Sequence, residues 1–70
     1  MLDLPKGNIY LIDKNNVEEN VSNTDCINKD EFIEEVNYLF DKCNYDKTKY
    51  IRAIYKEDNL IIYSYSLESW

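Results

Sequence analysis

The chain has no histidine, one glycine, one proline and two cysteines in 70 residues. Each shortage closes a class of chemistry. Without histidine the usual general base near neutral pH is missing, and with it the commonest zinc ligand. A lone glycine, Gly7, builds no phosphate-cradling loop, dinucleotide fingerprint or calcium loop. Asp13, Asn15 and Glu19 offer oxygen atoms but lack the glycine and terminal glutamate of a calcium loop, and they read as turn residues. Two cysteines are too few for a four-ligand zinc site or a disulfide framework. Cys26 lies just before a predicted helix and Cys43 near its end, on the order of 25 Å apart by helix rise, whereas a disulfide needs Cα atoms within about 7 Å. Cys43 reads as a buried core thiol, and Cys26 has no base beside it. No apolar run approaches the ~18 residues of a membrane span, and no charged segment leads into one. The expectation is a cytoplasmic protein, in the host cytoplasm if phage-encoded, that is not an enzyme and uses no cofactor or metal.

What is present begins with size. A domain of 70 residues buries only roughly 60% of the surface its unfolded chain exposes, so its core is small and a single domain is expected over residues 1–70. Ten aromatic residues oppose disorder. Asn, Ile, Lys and Tyr supply 31 residues, against four for Gly, Ala, Pro and Arg together. The first set is written with AT-rich codons and the second with GC-rich ones, which points to an AT-rich genome.

The clearest element is a helix over 28–43. Asn28 is a good N-cap, with Glu31 three residues on as in a capping box and Ile27 and Phe32 placed for a hydrophobic staple. Phe32, Ile33, Val36, Leu39, Phe40 and Cys43 recur at helical spacing and form one apolar stripe. Asn44 suits a left-handed helix end. Residues 49–56 and 60–67 read as strands rich in Ile and Tyr. A three-residue loop, with Asn59 left-handed, pairs Lys56 with Leu60 and collects Ile51, Ala53, Tyr55, Ile61, Tyr63, Tyr65 and Leu67 on one face. Tyr50, Arg52, Ile54, Lys56, Ile62, Ser64 and Ser66 then occupy the other. Upstream, 8–13 is apolar on both parities and suits an interior strand. Asn15 and Asn16 turn the chain into a weaker strand over 17–21. The expected fold is α+β, ββαββ or, without the second strand, βαββ. One amphipathic helix packs on one face of an antiparallel or mixed sheet.

Charge is uneven. The net of −6 divides into −2 for residues 1–23, −5 for 24–46 and +1 for 47–70. Asp30, Glu34 and Asp41 line one side of the helix's outer face, Glu31 and Glu35 the other, and Tyr38 projects between them. The plain reading is a solvated helix face. The functional reading is an acidic recognition surface with an aromatic anchor, drawing a protein partner that has a basic surface. Size and charge then fit a non-enzymatic inhibitor: an anti-defence protein of phage type (anti-CRISPR or anti-restriction), an immunity protein or an antitoxin. Asp30, Glu34 and Asp41 span about three turns, enough to imitate a few phosphates. Direct nucleic-acid or membrane binding is not expected from an acidic chain; a base-stacking face of Tyr50, Arg52 and Lys56 would be the exception. The alternative is a homo-oligomeric accessory or ligand-sequestering module that pairs through a C-terminal aromatic edge at Tyr65, Leu67 and Trp70.

Overall fold

The structure, a computed structural model, describes residues 6–67. Four strands and one helix follow in the order β1 (Gly7–Asp13), β2 (Glu18–Asn23), α1 (Lys29–Lys42), β3 (Tyr50–Glu57) and β4 (Leu60–Ser66). The strands form one fully antiparallel sheet in the order β2-β1-β3-β4. The helix packs on one face of it, giving an α+β fold with the order ββαββ.

The interior place of β1 explains its two apolar parities. Ile9 and Leu11 are fully buried on the helix side, while Tyr10 and Ile12 are half-buried on the other. Asp13 closes the strand: its carboxylate accepts from the amides of Asn15 (2.8 Å) and Val17 (3.0 Å), and Asn16 takes a left-handed φ of 63°. Side-chain acceptance of this kind is how Asp and Asn stabilise turns. Glu19 is not a turn residue. It lies in β2, opposite Leu11, and accepts from the Tyr50 hydroxyl. β2 forms although Glu18, Glu19 and Asn20 are poor strand formers, because an interior neighbour supplies its ladder. Val17 falls outside the strand and is exposed.

Gly7 is required by packing. A Cβ at that position would overlap the Tyr55 hydroxyl and the Thr24 carbonyl oxygen. The backbone of β1 therefore passes against the Tyr55 ring as only glycine allows. The same hydroxyl accepts from the Cys26 amide (3.0 Å) and donates to Glu57 (2.6 Å), so a fully buried tyrosine keeps its polar end satisfied.

Three bulges set the faces of the sheet. The β1–β3 register slips between Ile12 and Asp13, which leaves Ile51 as the extra residue. That slip turns Tyr50 to the helix side, where its ring meets Phe40 and Tyr45, each at 6.4 Å between centroids. The expected outward Tyr50 is thus corrected. The β3–β4 turn is a two-residue one, Asp58 (φ 52°) and Asn59 (φ 66°), as a type I′ hairpin needs, rather than the three-residue loop expected. Lys56 pairs with Ile61 instead of Leu60, and Ile62 is the extra residue. Two-residue turn and bulge together displace the expected pairing by two, which preserves side-chain parity from Tyr63 onward. Tyr63, Tyr65 and Leu67 accordingly pack on the helix side, while Ile61 leaves it and stands exposed. The third bulge, at Val21, lets that residue reach the core.

Candidate protein-binding surface on the helix

The helix that carries the acidic residues is fixed at both ends by its own sequence. Asn28 holds an extended φ of −148° and accepts from the Glu31 amide at 2.9 Å. Cys43 is the C-cap, its amide bonded to the Leu39 carbonyl, and Asn44 follows with a left-handed φ of 59°. Phe32, Val36, Leu39 and Phe40 are buried against the sheet. Phe32 meets Tyr55 (6.2 Å) and Tyr63 (6.0 Å), and Phe40, two turns on, meets Tyr50. Rotation about the axis is therefore set by two aromatic side chains, Phe32 and Phe40, at the ends of one stripe.

Two expectations at the helix ends are corrected. Ile27 is 82% exposed and makes no staple with Phe32, because Phe32 is held by the two tyrosines of the sheet. The cysteines exchange roles: Cys26 is buried in the core and Cys43 is exposed. Cys26 is drawn in by the hydrogen bond its backbone N–H donates to the Tyr55 hydroxyl, whereas Cys43 stands past the last helical residue, where the apolar stripe ends. Burial raises the Cys26 thiol above its ordinary pKa, with Glu31 and Glu35 the next causes. The thiol is the stable form there, the opposite of a nucleophilic cysteine.

The structure divides the six predicted site residues. Asp30, Glu34, Tyr38 and Asp41 are exposed, Tyr38 at 53%, and helical geometry gathers them within an arc of about 80°. Glu31 and Glu35 are half-buried on the flank that borders Cys26. Among the described residues, no lysine or arginine lies within ion-pair distance of any of these five carboxylates. Asp30 and Glu31 do complement the positive N-terminal end of the helix. The others do not serve it. Asp30 with Glu34 and Glu31 with Glu35 are like-charge neighbours four apart, each unfavourable by roughly 0.2–0.5 kcal/mol, and Asp41 sits in the last turn, where the dipole disfavours an acid.

The remaining predicted positions scatter. Tyr65 is half-buried and Leu67 buried, both packed on the helix side, and Trp70 lies outside the described residues. Tyr50, Arg52 and Lys56 do not form one stacking face, since Tyr50 is buried under Phe40. Lys56 lies over the Tyr10 ring at 4.9 Å and pairs with Glu18 at 2.7 Å. That contact helps cover the helix-free face, where Ile54 is only 2% exposed. No helix among the described residues is long and apolar enough to cross a membrane. No protein-family model, curated protein or solved structure matches the chain.

Proposed function

We propose that this chain is a small, non-enzymatic binding protein that antagonises another protein by laying the outer face of α1 on a basic surface of its target. The observation that carries this reading is the charge arrangement just described. The exposed carboxylates of Asp30, Glu34 and Asp41 have no counterion among the described residues, and Glu34, beside Asp30, and Asp41, in the last turn, oppose the helix's own electrostatics. Fold stability does not call for Glu34 or Asp41, and a cationic partner does. Tyr38, exposed between Glu34 and Asp41 along the axis, supplies the rigid ring that interface centres favour. Clefts that hold nucleic acid are basic, and the three carboxylates span roughly 16 Å along the axis, the reach of a short run of phosphates. The reading therefore extends to inhibition of a nucleic-acid-handling protein, as in anti-defence, immunity or antitoxin systems, within a cytoplasm. Affinity capture from bacterial lysate with the wild-type chain and with Glu34→Lys/Asp41→Lys tests it. The expected result is a partner with a basic surface that wild type holds at low salt, that salt releases, and that the double variant does not hold. A partner retained equally by the double variant overturns the reading.

A further inference from the structure

The two edges of the sheet are defended differently. β2 carries Glu18 and Glu19 and a bulge at Val21, devices that keep an edge from pairing with another strand. β4, Leu60–Ser66, has neither a charged residue nor a proline, and its bulge at Ile62 sits near the turn, leaving Tyr63 to Ser66 regular. The amide of Leu67 donates to the Ile51 carbonyl at 2.9 Å. Alternate residues of an antiparallel strand send their main-chain groups to opposite sides, so Tyr65 turns its N–H and C=O toward β3 while Ser64 and Ser66 turn theirs to the outer edge, which no strand among the described residues pairs.

We infer that β4 pairs antiparallel with β4 of a second copy of this chain, joining two sheets into one of eight strands. In this arrangement Ser64 of each copy lies opposite Ser66 of the other, exchanging four main-chain hydrogen bonds about a twofold axis at Tyr65. A strand meeting itself antiparallel is self-complementary, as a closed dimer requires. Charge does not oppose this occupant, because β4 from Leu60 to Ser66 carries none of its own. Leu60 and Ile61 continue the edge toward the turn, 66% and 60% exposed, so apolar surface extends beyond the hydrogen-bonded stretch. The surface is distinct from the outer face of α1, and the dimer stands or falls without it.

Sedimentation and amide hydrogen exchange on the full chain test the dimer. The expected result is twice the single-chain mass at about 100 μM, unchanged in ~0.5 M salt, with the Ser64 and Ser66 amides protected as concentration rises. Ser64→Pro removes only an outward donor, which an edge strand tolerates. It acts once in each copy, so two hydrogen bonds are lost and self-association weakens about 30-fold, with circular dichroism unchanged. A wild-type chain that stays monomeric at that concentration overturns the proposal. So does a folded S64P that dimerises as wild type does. If S64P does not fold, the wild-type exchange pattern decides: unprotected Ser64 and Ser66 amides in the dimer contradict edge pairing.

Discussion

On its sheet side α1 presents Phe32, Val36, Leu39 and Phe40, none more than 6% exposed, to tyrosines of β3 and β4. On its solvent side it presents Asp30, Glu34, Tyr38 and Asp41, which have no counterion among the described residues. One element thus obeys two rules. Among the described residues no buried side-chain oxygen or nitrogen lacks a partner: Tyr55 is matched by Glu57 and the Cys26 amide, Tyr50 by Glu19. The outer layer is left unmatched, at some electrostatic cost to the helix. The inner face accounts for the fold, and the outer face has no structural task beyond the first turn. Changes on the two faces should therefore differ in sign as well as size.

The largest effect comes from the inner layer at high pH. Burial, with hydrogen bonds to Glu19 and Glu57, pushes the Tyr50 and Tyr55 hydroxyls up from 10 to about 12. Because the folded values are raised, the stabilisation is whole below pH 10 and drains as pH climbs from 10 to about 12. A rise of that size is on the order of 2 kcal/mol per tyrosine. Denaturant midpoints should fall steeply in that window, and tyrosinate absorbance should rise in step with unfolding. A flat midpoint across the window would break the inner side of the contrast.

Next in size is Phe32→Ala, which removes the ring between Tyr55 and Tyr63. Loss of a buried aromatic ring costs about 3–5 kcal/mol, and urea unfolding should show it as a lower midpoint with a similar slope. A cost below about 1 kcal/mol would mean that the helix is held by something other than this stripe.

The parts of this contrast that were legible in the sequence were the local ones. Asn28 with Glu31, and Asn44 past the helix end, name their roles because a cap is satisfied within three or four residues. The outer acids followed from helical period alone. What escaped was non-local. None of the bulges at Val21, Ile51 and Ile62 is marked by a glycine, so nothing nearby in the chain announces the extra residue that brings Tyr50 under Phe40. The burial of Cys26 was not legible, because it depends on a hydroxyl 29 positions away. The task of Gly7 was hidden for the same reason, since the ring it admits belongs to β3. The outer edge of β4 lay in residues of unremarkable type, Ser64 and Ser66, whose main-chain direction only the pairing with β3 reveals.

The smallest effect is the most direct test, because its sign separates the two faces. Glu34→Lys places a base four residues after Asp30, and Asp41→Lys puts a base in the last turn, both favourable to an isolated helix. If the outer face serves binding and not the fold, the double variant gains roughly 0.5–1.5 kcal/mol, which for a domain of this size raises the melting temperature by about 2–10 °C. Thermal unfolding of wild type and E34K/D41K side by side measures it. A melting temperature equal to or above that of wild type is the predicted result. A fall of about 5 °C or more would show these carboxylates holding the fold together, and would contradict the account.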